Sequence, residues 1–255
     1  MPYKTHASEI LFIAKKAAEL IMGYYSREIE VSHKDDKSPV TEADFAANEF
    51  IKQHLIALAP DIPVVSEENS KEENERAAAG EIFWMVDPLD GTKSYIKRTG
   101  EFTVNIALIN NNIPVGGVVY IPAKGVGYFT AEDGKAYKQT GNNLPIDIKV
   151  RAKPADKIVV VASKSHMNEQ TEKYIAALGE NITLISAASS LKFCMIAEGK
   201  ADLYPRFGNT MEWDTAAGHA ILLAAGGHME RADGSPFLYR KADFLNPFFI
   251  AKGGE

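Results

Sequence analysis

Ile10, Leu11, Ile13, Ala14, Ala17, Ala18 and Ile21 recur at the spacing of one helix face, which predicts an amphipathic helix ending near Gly23. A second helix is expected from about Thr41 to Pro60, with Phe45, Phe50, Ile51, Leu55 and Leu58 as its inward stripe. Ile62 to Ser66 reads as a short strand, 67–81 as a solvated loop or surface helix, and Ile82 to Val86 as a strand buried on both sides. From 101 to 150 the pattern changes to short β runs punctuated by Asn110-Asn111-Asn112, Asp133-Gly134 and Gly141-Asn142-Asn143, the signature of an antiparallel sheet. After Pro154 strands at 158–162, 182–186 and 201–204 alternate with helices at about 168–179, 190–198 and 213–225. The expected class is therefore α/β, with an antiparallel-sheet first half at 1–153 and a mixed α/β second half at 154–255.

Composition narrows the classes. The 255 residues carry 34 acidic and 28 basic side chains, a formal charge of −6, and are 45% hydrophobic, so the chain can bury a substantial core and is neither disordered nor collagenous. Charged or polar residues interrupt every apolar run before the ~20 residues that span a bilayer, so no transmembrane helix is expected. The first twenty residues read as a helix rather than a secretory signal. A single cysteine, Cys194, excludes an internal disulfide and a cysteine-rich zinc site; it reads as a buried small hydrophobe and agrees with a reducing, cytoplasmic setting. Peripheral association with an inner membrane stays open. Mild acidity argues against a nucleic-acid polymer as partner and leaves room for a small anion in a local basic pocket.

The sharpest chemical feature is VDPLDGT at 86–92, on the end of a strand. Two carboxylates three residues apart, across a Pro and before a Gly, repel each other unless a cation or a shared proton intervenes. One reading is a capped turn. The other is a hard cation, and oxygen-only ligands favour magnesium. Three further segments put acids at element ends: Ser66-Glu67-Glu68, Thr41-Glu42-Ala43-Asp44 in the pattern of a capping box, and Trp213-Asp214-Thr215 opening a helix. Ends of elements are where α/β proteins build sites, which moves the balance toward the cation.

VDPLDGT, TEAD, SEE and EWDTAAGHA resemble the signature segments of the magnesium-dependent, lithium-sensitive phosphatases of the inositol monophosphatase superfamily. KDDKSPVTEAD (34–44), DPLDGTKSYIKRTGEFTVNIALI (87–109), SSLKFCMIAEGKADLYPRFG (189–208) and WDTAAGHA (213–220) most resemble its CysQ-type 3'(2'),5'-bisphosphate nucleotidases, across essentially the whole chain. The resemblance implies a layered αβαβα sugar-phosphatase fold. It also implies removal of the 3'-phosphate of adenosine 3',5'-bisphosphate, in sulfur assimilation and nucleotide recycling. Glu67, Asp87, Asp90, Asp214 and the carbonyl of Leu89 would hold two or three magnesium ions, with Glu68 the competitor of Glu67. Asp44, Thr92 and Glu67 would be catalytic, the first two by orienting and deprotonating water. Glu67, Leu89, Asp90, Gly91, Thr92 and Asp214 would also touch substrate, and His166, Ser189, Lys192 and Arg206 would contact the nucleotide.

The residues themselves give partial support to that last set. Ser163 to His166 leaves a strand, where Ser and His either cap a helix or meet a ligand. Ser189 to Lys192 opens a helix whose N–H groups suit an anion, and Arg206 sits between Pro205 and Phe207 as a planar fork for a phosphate. His219, five positions after Asp214, is expected to point away. Lys97-Arg98 reads as a solvated pair or a positive rim. The same acidic core would serve inositol monophosphate, inositol 1,4-bisphosphate or fructose 1,6-bisphosphate. A noncatalytic magnesium- or nucleotide-binding regulator is the rival of another class, and Asp44 with Thr92, dispensable for holding a metal, counts against it.

Overall fold

The computed structural model describes residues 6–27, 31–33, 39–152, 154, 156–163 and 167–254. In chain order the elements are α1 (Ala7–Tyr25), β1 (Val31–His33), β2 (Pro39–Thr41), α2 (Glu42–Leu58), β3 (Val64–Ser66), α3 (Lys71–Ala77), β4 (Ile82–Asp90), α4 (Thr92–Ile96), β5 (Thr103–Asn110), β6 (Ile113–Ile121), β7 (Val126–Thr130), β8 (Ala136–Thr140) and β9 (Ile146–Ile148). There follow β10 (Ile158–Ala162), α5 (Glu169–Ala177), β11 (Ile182–Ser186), α6 (Leu191–Ala197), β12 (Leu203–Arg206), α7 (Ala216–Ala224), β13 (His228–Arg231) and β14 (Phe249–Lys252).

Among the described residues β3 to β9 form a seven-stranded sheet in chain order, antiparallel except for the parallel pair β3 and β4. A five-stranded sheet runs β11, β10, β12, β14, β13. Strand alternation explains the layering, because successive side chains point to opposite faces. Trp84 and Val86 of β4 face α1 and α2, whereas Phe83 and Met85 face the layer of α6 and α7. That layer meets the second sheet through Tyr204, Met229 and Phe249, and α5 packs on the outer side over Val160, Leu203 and Ile250. The order of layers is αβαβα.

Two glycines set the spacing at the centre. A Cβ on Gly117 of β6 would lie 2.7 Å from the Ala217 carbonyl oxygen of α7, and one on Gly218 would lie 2.5 Å from the ring of Phe193. The first absence lets β6 close on α7, and the second lets α7 close on α6.

Several boundaries and faces differ from the sequence expectation. The stripe of α2 consists of Ala43, Ala47, Ile51 and Leu55, and Phe45 is 49% exposed. Small residues let α2 lie close to the sheet, so the larger Phe45 stays outside. The strand expected at 82–86 continues to Asp90, because β5 supplies a partner as far as Thr103. The strand expected at 201–204 is 203–206, which makes Arg206 its last residue. The helix expected from 213 begins as a 3-10 turn at Glu212–Asp214, and α7 follows it. β13 and β14 have no counterpart in the expectation, since four-residue strands separated by a long loop carry too little alternation to stand out. No described helix is long and apolar enough to cross a membrane.

Candidate active site

The β4 strand pairs Asp87 with Asn105 and then Asp90 with Thr103, so three steps on β4 answer two on β5. Pro88 cannot donate to the ladder, and the irregularity re-aims the carboxylates at the strand end. The Leu89 N–H turns back to donate to Asp87 Oδ1 at 3.0 Å. Gly91 then closes the turn at φ 97°, where a Cβ would stand 2.4 Å from Ser189 Oγ. Both the conformation and the space demand glycine.

Glu67 arrives beside this turn because β3 lies parallel to β4, with the Glu67 N–H donating to the Val86 carbonyl at 3.2 Å. The preceding residue is fixed by a buried polar group. Ser66 Oγ donates to Asn48 at 2.7 Å, and Ser66 and Asn74 exchange hydrogen bonds of 2.9 and 2.7 Å. Asp214 comes from the opposite side on the 3-10 turn, where its Oδ2 accepts the Met211 N–H at 2.8 Å. Asn246 braces that turn through the Met211 carbonyl, and buried Glu212 does so by accepting the N–H groups of Arg240 and Lys241.

Glu67, Asp87 and Asp214 each offer a carboxylate oxygen within 4.8 Å of the others. Asp87 is 1% exposed. Burial first, then repulsion from Glu67, Asp90 and Asp214, pushes the Asp87 carboxyl well above the usual range; burial, Asp90 and Glu67 do the same to Asp214. A cation placed among these oxygens would replace that repulsion with attraction. Asp90, expected alongside them, is not a member of this close set. Its Oδ2 accepts the N–H and the hydroxyl of Ser190 at 2.8 and 2.9 Å, with Asn105 and Thr103 farther off at 3.4 and 3.5 Å. The N–H at the start of α6 that the sequence offered to an anion therefore meets the Asp90 carboxylate.

On the other flank Asp44 sits in the first turn of α2. Its Oδ2 accepts the N–H and hydroxyl of Thr41 at 2.8 and 2.6 Å, and its Oδ1 accepts the Thr92 hydroxyl at 3.2 Å. Burial raises the Asp44 carboxyl above its ordinary range, and the Thr41 bonds oppose that rise. Thr92 lies 3.4 Å from the Leu89 carbonyl oxygen.

Glu67, Asp90, Thr92 and Asp214 line one cavity of about 350 Å³, together with Ser189, Lys192, Tyr204 and Arg206. The buried Lys192 ammonium donates to the Ser189 carbonyl at 2.6 Å and lies 5.0 Å from the centre of the Tyr204 ring; burial lowers its pKa to about 8. Arg206 donates through Nε to Gly208 and through Nη2 to Asn209. Ser163 lines the same cavity. His166, with the rest of 164–166, and the stretch 34–38 lie outside the described residues. His219 faces away, buried against the Tyr239 hydroxyl at 3.1 Å.

This fold has known relatives. The model of the inositol monophosphatase family matches residues 6–248. The chain belongs to the inositol monophosphatase family. A 3'(2'),5'-bisphosphate nucleotidase CysQ of Salmonella typhimurium is 47% identical over 244 residues, covering 94% of this chain and 97% of its own. Its counterpart in Escherichia coli strain K12 is 46% identical over the same length. The crystal structure of CysQ from Bacteroides thetaiotaomicron superposes with a TM-score of 0.85 at 42% identity, over 99% of this chain and 98% of that one.

Three further residues, not singled out by the local sequence motifs, brace or line the site. Ser190 and Asn105 hold Asp90, with Asn105 Nδ2 donating to Ser190 Oγ at 2.6 Å. A lone Asn inside the apolar run of β5 was the available signal. Ser190 is masked by its neighbour Ser189, and Tyr204 reads as an ordinary strand aromatic.

Proposed function

We propose that this protein is a magnesium-dependent phosphatase that removes the 3'-phosphate of adenosine 3',5'-bisphosphate, giving adenosine 5'-phosphate and phosphate, in the cytoplasm. The observation that carries the reading is the meeting of Glu67, Asp87 and Asp214 beside the Asp44 and Thr92 pair, next to a cavity that Lys192 and Arg206 also line. The nucleotide assignment is supported by the CysQ relatives and by the presence of two cationic side chains, Lys192 and Arg206, in the lining of the same cavity as the acids.

The donor set fits magnesium, since all of it is hard oxygen: the carboxylates of Glu67, Asp87, Asp90 and Asp214 and the Leu89 carbonyl. Two or three ions bound there would neutralise the phosphate dianion and make a coordinated water more acidic. The protein's own part begins at Thr92. Its hydroxyl proton is committed to Asp44, so its lone pairs face outward as an acceptor. As water attacks phosphorus in line, its proton passes to Thr92 Oγ1 while Thr92 yields its own to Asp44 Oδ1; the bond from phosphorus to the ribose oxygen breaks, and that oxygen takes a proton from a second water to leave as the hydroxyl. Because Asp44 already prefers protonation more than a solvated carboxyl, that transfer is eased. Lys192 and Arg206 would meanwhile hold the 5'-phosphate, fixing the nucleotide with its 3'-phosphate over the acids.

The experiment is phosphate release measured side by side with adenosine 3',5'-bisphosphate, inositol 1-phosphate, inositol 1,4-bisphosphate and fructose 1,6-bisphosphate, with magnesium and with millimolar lithium added. A kcat/KM for the nucleotide at least about tenfold above the others supports the reading. A preference for an inositol or fructose phosphate rejects the substrate, and no release from any of the four rejects the enzyme.

A further inference from the structure

Tyr204 is 4% exposed, yet it lines the site cavity. Its ring is fully employed. It packs edge-on against Phe193 and Phe249, with centroids at 5.2 and 5.4 Å, and offers its face to the Lys192 ammonium at 5.0 Å. Its hydroxyl is not employed: it has no hydrogen-bond partner among the described residues. The hydroxyl oxygen is not among the fully buried polar atoms, so the little surface this side chain keeps leaves it open to the cavity. The charges that act on it are those of Arg206, Asp90 and Asp214, which places its hydroxyl end toward the site rather than in the apolar layer. Burial holds the phenol protonated, so it is a donor throughout the physiological range.

The neighbours indicate what it waits for. Tyr204 and Arg206 stand two apart on β12 and share a face of the strand. Arg206 spends Nε and Nη2 on backbone carbonyls and keeps Nη1, and Lys192 spends one of three ammonium hydrogens on Ser189. Three side chains thus bring spare donors to the same cavity, and among the described residues none of these donors is taken by a side-chain hydrogen bond. A multiply charged oxyanion satisfies all three. We propose that Tyr204 is a specificity-determining residue whose hydroxyl donates to the second, non-reacting phosphate of the substrate, between Lys192 and Arg206. This rests on the nucleotidase reading above. The aromatic ring at the same time orients the Lys192 ammonium, so one side chain both shapes and completes the phosphate subsite.

Tyr204→Phe deletes the hydroxyl and leaves the ring, its packing and the contact with Lys192. Binding is measured calorimetrically with magnesium present, using adenosine 5'-phosphate, which carries only the second phosphate, and adenosine, which carries none. The expected result is a loss of at least about tenfold in affinity for adenosine 5'-phosphate, the effect of one hydrogen bond to a charged group, with adenosine little affected. In kinetics the ratio of kcat/KM for adenosine 3',5'-bisphosphate to that for adenosine 3'-phosphate falls by a similar factor, mainly through KM. Unchanged affinity for adenosine 5'-phosphate overturns the proposal, as does an equal loss for adenosine, which would put the hydroxyl on the nucleoside. If the unaltered protein neither binds adenosine 5'-phosphate nor hydrolyses the bisphosphate, the nucleotidase reading falls and this inference with it.

Discussion

At the scale of single residues the site opposes stability to chemistry. Asp87 and Asp214 are buried close to other carboxylates, and each is held well above the ordinary carboxyl range. An acid whose folded pKa is raised favours the folded state at low pH and loses that contribution as pH rises through the folded value. At neutral pH and without metal both residues are therefore a cost. Asp87→Asn is expected to lower kcat at least about 100-fold, because an amide is a poor magnesium ligand. In the presence of a chelator the same change should raise the thermal midpoint by at least about 2 °C. Phosphate release and a melting curve check the two halves. Lys192 gives a second test. Burial lowers its pKa to about 8, so in the free enzyme its positive charge is lost as pH climbs past that value. The kcat/KM for the bisphosphate, divided by that for adenosine 3'-phosphate, should fall above pH 8, and Lys192→Met should abolish the slope. The acids themselves were legible in the sequence because VDPLDGT and its companions are dense in like charge. The arrangement of Asp90 was not, since the bond that turns its Oδ2 toward Ser190 joins residues 100 apart.

At the scale of elements the site depends on how closely secondary structures approach. Helical periodicity located α1 and α2 to within a few residues. It placed Ile51, Leu55, Phe50 and Leu58 of α2 on the inward side and erred at Phe45, where Ala43 and Ala47 make the contact instead. The end of β4 was read as a turn; only the partner strand β5 reveals that pairing resumes at Asp90 after the irregularity. Gly117 marks the closest contact of β6 with α7. Gly117→Ala is expected to destabilise the fold by about 1–3 kcal/mol, since the clashing atom is backbone and the helix must shift. Urea unfolding measures this directly. Ser190→Ala removes the hydroxyl joining Asp90 to the Asp214 carbonyl, at 2.9 and 3.2 Å. It should raise the magnesium concentration needed for half-maximal activity several-fold, with Ser190→Thr recovering most of the loss. Equal magnesium dependence of the alanine variant would show that Asp90 is positioned by other bonds.

At the scale of the whole molecule the carboxylates meet because the ends of β3 and β4 in the seven-stranded sheet pack against the turn that leads into α7. β3 and β4 bring Glu67 and Asp87 from one side, and the turn before α7 brings Asp214 from the other. His219, inside the layer of α6 and α7, reports on its integrity. Burial lowers its pKa to about 3, against an ordinary 6.5. Its neutral form is needed in the fold, so the stability it permits is complete above pH 6.5 and is lost as pH falls toward 3, at up to about 1.4 kcal/mol per pH unit. His219→Gln should flatten the pH dependence of unfolding between pH 6 and 5. The class and the layering followed from the alternation of strands and helices together with the family motifs. Register, the short strands β13 and β14 and the bracing of the Asp214 turn by Glu212 and Asn246 depend on long-range pairing that no local pattern records. The central claim is that oxygens from distant parts of the chain form one cation site. Anomalous diffraction from a crystal soaked in manganese, a substitute for magnesium, tests it most directly. Peaks bounded by Glu67, Asp87 and Asp214 are expected; a fully soaked crystal with no peak among these three carboxylates would rule the cation site out.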